Sequence, residues 1–151
     1  MNRAVIAGFV LALLVSGGAY GFWTSVGAGS GSARTTTPVP LTLTPGTPSG
    51  RIYPGGTSDV AVTINNPNAF AVRVNRLALD TGQGTGGYSV DASHPTCGVG
   101  ALTYTTQNNS NGWTVPPNGS SALSLTGALA MSVTAANACQ GAIFRVYLST
   151  S

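Results

Sequence analysis

The feature that most limits what this chain can fold into is an alternation of apolar and polar residues, broken at short intervals by Gly, Pro and Asn. Val60, Val62 and Ile64 fall on one side of an extended run that begins at Asp59, with Ala61 and Thr63 on the other. That period of two is the pattern of a strand with one buried face. Val39, Leu41 and Leu43 alternate in the same way among prolines, which suits a sheet edge because proline cannot donate to a ladder. Helix has little support. The chain has no Lys and no Glu, so the straight-chain helix formers are scarce, while β-branched Val and Thr are frequent.

Taken in order, the pattern predicts a series of short strands. Thr44–Gly50 reads as a turn region, Arg51-Ile52-Tyr53 as a short extended piece and Pro54-Gly55-Gly56 as a tight turn. After the Asp59–Ile64 strand, Asn65-Asn66-Pro67-Asn68 makes a compact turn, since Asn tolerates left-handed backbone and Pro fixes one dihedral. The next strand places Phe70, Val72 and Val74 on one side. Its parity slips to Leu77 and Leu79, which predicts a bulge at Asn75-Arg76. These two strands are expected to pair as an antiparallel hairpin. Asp80–Gly87 is a glycine-rich loop, and without a following helix its spacing is not that of a phosphate cradle.

Tyr88-Ser89-Val90 starts a strand, and His94–Cys97 forms a turn. Leu102 and Tyr104 mark another strand, Thr106–Gly112 a polar loop, and Trp113–Val115 a short extended piece. Pro116–Gly119 turns the chain into a strand at Ser121–Leu125. A helical turn fits only around Ala135–Ala138. Ala142, Phe144, Val146 and Leu148 then form the inner face of a closing strand, opposite Ile143, Arg145 and Tyr147. About seven to nine antiparallel strands joined by Gly/Pro turns point to an all-β fold, an immunoglobulin-like β-sandwich, with a jelly roll or small barrel as alternatives.

The N-terminal segment has a different composition. Arg3 precedes an uncharged apolar run, Ala4–Val15, of the length of an export signal. Ala19-Tyr20-Gly21 offers small residues where a signal peptidase reads, placing a cut between Gly21 and Phe22; Ser16-Gly17-Gly18 is a second site. The expected organisation is a signal peptide at 1–21, a flexible linker at 22–37 and the β-domain at 38–151. If left uncut, the apolar segment would serve as a membrane anchor with the domain facing outward. Gly27–Ser32 has nothing to pack and reads as a tether.

Cys97 and Cys139 are the only cysteines. In an oxidising compartment they are expected to pair, closing a loop of about forty residues worth roughly 4 kcal/mol in the chain-entropy model. Two Cys and one His lack the spacing of a zinc motif, so no metal or other cofactor is expected. His94 has Asp91 three residues upstream as an orienting carboxylate, but no Gly-x-Ser-x-Gly elbow frames a nucleophile, and the bland reading is a turn histidine. Asp59, Asp80 and Asp91 are the only carboxylate side chains, at positions usual for turns, and no enzyme is expected. The cations Arg34, Arg51, Arg73, Arg76 and Arg145 are scattered rather than striped, which excludes an evident nucleic-acid surface. Tyr53, Tyr88, Tyr104, Trp113 and Tyr147 would make a glycan platform only if several shared an exposed face.

Three stretches, AYGFWTSVGAGSGSA (19–33), IYPGGTSDVAVTINNPN (52–68) and NACQGAIFRVYL (137–148), resemble a group of small exported proteins of high-GC Gram-positive bacteria. The first also resembles, more distantly, the TasA/camelysin family of exported β-sandwich proteins. In that family a dedicated signal peptidase frees an aromatic N-terminus, and subunits form matrix fibres in which one N-terminal segment adds as a strand to the next. The resemblance implies an assembly segment at Phe22, Trp23, Thr24, Ser25 and Val26, and the Val39–Leu43 strand is the alternative donor to a neighbour's open edge. The resemblance does not imply the metalloprotease activity described for some members, because no His-Glu-x-x-His sequence occurs. The expected function is that of an exported, non-enzymatic surface or matrix protein that self-assembles by strand donation; the alternatives are a wall-polysaccharide-binding module and a membrane-anchored surface protein. Its expected partners are signal peptidase during export, other copies of itself and cell-wall components.

Overall fold

The computed structural model describes residues 37–151. The domain is built on β3, Thr57–Asn66, whose alternate residues Ser58, Val60, Val62, Ile64 and Asn66 are all buried. Along one edge β3 pairs with two short strands, β1 (Thr42–Leu43) and β2 (Thr47–Pro48). Its other edge pairs with β8 (Gly119–Met131), which in turn pairs with β6 (Leu102–Tyr104). A second set joins β4 (Val72–Leu79) to β7 (Gln107–Val115) and to β10 (Leu148–Thr150). β5 (Tyr88–Val90) pairs with β9 (Phe144–Val146). Among the described residues two single 3-10 turns, Val99–Ala101 and Asn137–Cys139, supply the helical content, the second at the place expected for a helical turn. All pairings are antiparallel, and the curled sheets enclose one apolar core in which Ile64, Leu77, Leu129, Phe144 and Val146 are sealed from solvent.

β3 and β4 do not form the hairpin that their sequence suggests. They lie in different sheets, and no ladder joins them. Both strands bury one face, so the apolar sides of Val62 and Val74 meet in a shared core instead of lying side by side. The Asn65–Asn68 turn is therefore a crossover, and it leaves Phe70 at 44% exposure instead of on the inner face. The expected bulge is present, as a register shift between Val74 and Arg76. A second shift, unforeseen, lies opposite Asp59: Ser58 pairs with Leu129 but Val60 with Leu125. The extra β8 residues include Gly127 at a left-handed φ of 59°, and the Asp59 carboxylate accepts its N–H at 2.8 Å. That bulge lets β8 continue as a strand to Met131, past the point where strand character was expected to end.

The polar stretch Thr106–Gly112 is not a loop. Most of it is the outer strand β7, which buries only Val115 and so shows no alternation. Conversely, Arg51-Ile52-Tyr53 is not a strand, and Val39 lies outside β1 at 53% exposure. The closing strand has the expected inner face of Phe144, Val146 and Leu148, all buried, but it serves two partners in succession. Tyr147 donates its N–H to Gly87 and accepts from Asp80, where pairing passes from β5 to β4. On its opposite edge Val146 exchanges both backbone hydrogen bonds with Gly46, at 2.7 and 2.8 Å. Gly46 has no room for a side chain, since a β-carbon there would come within 2.6 Å of Val60.

Candidate functional site

Beyond the Gly46–Val146 bridge the two sheets part. β1 ends one sheet and β10 ends the other, and a gap of about 480 Å³ opens between them, lined by Leu41, Leu43, Tyr147 and Leu148–Thr150. The direction of the free backbone groups follows from the ladder. Tyr147 and Ser151 direct their N–H groups towards the β4–β5 side, to Gly87 and Arg76, whereas Val146 faces Gly46. By strand alternation Leu148 and Thr150 turn their N–H and C=O groups to the gap. Among the described residues this edge is unpaired above partly apolar side chains, the arrangement that accepts an added strand.

The chain enters this edge through a clamp that sequence reading missed. Asn68 accepts the Val39 N–H on Oδ1 at 2.8 Å and donates from Nδ2 to the Val39 carbonyl at 2.9 Å. Asn66, 2% exposed, holds Asn68 in turn: its Oδ1 accepts from the Asn68 backbone N–H at 3.0 Å and side-chain amide at 2.9 Å. The Asn66 Nδ2 reaches the carbonyls of Phe70, Val115 and Pro116. Two turn-type asparagines thus join three chain segments where the domain begins.

The disulfide Cys97–Cys139 forms as expected, with both residues buried and their Cα atoms 4.7 Å apart. It lies just past the end of β5 and just before β9, the two strands of a ladder only three residues long. Asp91 fixes the same end. Its carboxylate accepts the N–H of Ile143 at 2.6 Å and of Ser93 at 3.0 Å, and it meets His94 Nδ1 at 2.9 Å. The Ile143 N–H first, and then His94, hold the Asp91 carboxyl down to about 2. Asp91 does pair with His94, but as one contact of a group that ties backbone amides together. Asp59 binds the Gly127 N–H and Asp80 the Gly82 N–H, so each carboxylate of the chain serves a different turn or bulge.

The glycine-rich loop 80–87 has a packing reason for its composition. Gly87, at φ 95°, would drive a β-carbon to 2.5 Å from Leu79, and Gly84, at φ 54°, one to 2.3 Å from the Tyr88 carbonyl. The aromatic residues do not share one exposed face. Tyr88 and Tyr104 are buried: the Tyr88 hydroxyl accepts the Tyr104 N–H at 2.7 Å, and the Tyr104 hydroxyl donates to the Leu77 carbonyl at 3.3 Å. Burial raises both phenols, Tyr104 to about 12. Trp113 and Tyr147 are half-buried, and Tyr53 is 68% exposed.

Tyr53 stands at a second groove, of about 620 Å³, between the Arg51–Pro54 turn and the segment Ala136–Ile143, with Met131 and Phe144 in its lining. The cleavage position Gly21–Phe22 and the assembly segment Phe22–Val26 lie outside the described residues. The chain matches no protein-family model, and searches of curated proteins and of solved structures find no match.

Proposed function

We propose that this chain is an exported, non-enzymatic protein of the cell surface or extracellular matrix, built as an immunoglobulin-like β-sandwich and assembling by strand donation. The observation that carries the reading is the gap between β1 and β10, where two sheets end side by side above Leu41, Leu43 and Leu148. A donated strand in that gap would cover both edges. Phe22–Val26, extended, spans about 16 Å, comparable with the Leu41–Pro45 side of the gap. The Gly/Ser tether that follows it gives the reach to enter another copy. The disulfide is of the kind that persists outside the cytoplasm, and all three carboxylates are engaged with backbone amides, which favours a binding role over catalysis. The resemblance to small exported proteins and to the TasA/camelysin family agrees with this assignment.

The test is size-exclusion chromatography and electron microscopy of the cleaved protein. Polymers are expected for the parent, and monomers both for a form lacking residues 22–26 and for Thr150→Pro. That proline removes an N–H facing the gap while leaving intact the bonds to β4. A parent that stays monomeric at high concentration refutes the assignment.

A further inference from the structure

The groove beside Tyr53 is built differently from the gap between β1 and β10, and the geometry points to a separate use: we infer that it binds an acidic oligosaccharide, a chain of pyranose rings bearing carboxylates. Both walls are preformed. On one side Gly56 donates to the Tyr53 carbonyl at 2.8 Å, and the turn is tied to β8 by Gly55 N–H to Met131 at 2.9 Å and Met131 N–H to Gly56 at 3.0 Å. On the other side the 3-10 turn Asn137–Cys139 is anchored by the disulfide, and Ala142 donates back to Cys139 at 3.2 Å. A site that is already shaped loses little free energy to ordering when it binds.

The lining fixes the ligand class. The Tyr53 ring is exposed yet held, because it lies against Gly56, where a β-carbon would come within 3.0 Å of the ring. A flat aromatic face fixed at a groove rim suits the C–H face of a sugar ring. Asn137 and Gln140, both exposed, supply amides that can donate to and accept from sugar hydroxyls. Arg51 is the charged residue of the lining, and no carboxylate lines the groove. Arg51 also has no ion-pair partner among the described residues, where the one salt bridge is Asp91–His94. The complement is therefore a carboxylate on the ligand, which guanidinium binds in a bidentate fashion. An extended peptide is a poorer match. Most of the lining is turn and loop, and its strand residues, Thr47–Pro48, Met131 and Phe144, belong to strands already paired to β3, β6 and β5.

This proposal does not depend on strand donation, and it is tested separately by calorimetric titration of the exported, disulfide-bonded protein with hexagalacturonate, cellohexaose and hexaglutamate. Hexagalacturonate is expected to bind at least about tenfold tighter than either of the others. Tyr53→Ala should weaken it by about tenfold or more and Tyr53→Phe should retain it, while Arg51→Gln should bring it to the level of cellohexaose. Circular dichroism of each variant checks that the fold is kept. The proposal is overturned if hexagalacturonate does not bind at millimolar concentration, if cellohexaose or hexaglutamate binds as well, or if folded Tyr53→Ala binds like the parent.

Discussion

At the scale of single residues, the chain turns its three carboxylates and its turn asparagines on its own backbone. Asp91 is the clearest case, since one carboxylate joins the end of β5 to the start of β9 through the Ile143 N–H. Its carboxyl titrates at about 2 in the folded protein, below the usual range near 4. The stabilisation it gives is therefore fully present above about pH 4 and is lost as the pH falls through about 2. Thermal melts between pH 7 and pH 1.5 should show this decline in the parent. Asp91→Asn should melt lower at pH 7 and show a shallower acid limb; a variant with the parent's full acid dependence would remove Asp91 as the cause. The asparagines show where sequence reading stops. Asn66 and Asn68 were legible as turn residues, but a side chain that bonds a backbone 29 positions earlier, as Asn68 does to Val39, leaves no local pattern.

At the scale of elements, what was legible depended on whether a strand buries one face. β3 and the closing strand show alternation because solvent lies on one side of them and the core on the other. β7 could not be recognised, because both its faces are mostly wet and its ladder to β4 is a backbone property that side chains do not report. Partners are harder still: alternation tells which side of a strand faces in, not which strand lies beside it, so nothing in the pattern separates β3 and β4 into two sheets. The disulfide was readable from there being two cysteines, but its role is seen only in the structure. β5 and β9 share three residue pairs, a ladder too short to persist alone. The double variant Cys97→Ser, Cys139→Ser is expected to lose about 4 kcal/mol in urea denaturation. An unchanged midpoint would mean that Asp91 and the core suffice to hold that end.

At the scale of the whole molecule, the all-β class was readable from composition and period, whereas the gap between β1 and β10 and the groove at Tyr53 were not. Each is assembled from segments far apart in sequence: Leu41 and Leu148 line one, and Tyr53 and Gln140 the other. The same long-range character governs the strand Phe144–Thr150, which pairs with β5, with β4 and, at Val146, with Gly46. Removal of residues 144–151 should therefore leave the remainder without cooperative unfolding or a near-ultraviolet circular dichroism signal; a cooperative transition in the truncated chain would disprove it. The consequence is one of timing. Every strand that this segment joins is synthesised before it, so the ladders β3–β8 and β4–β7 can form first, while β5, Gly46 and the open edge of β4 wait for their partner. The core is therefore sealed last along Phe144–Thr150, the segment that carries the buried Phe144, Val146 and Leu148.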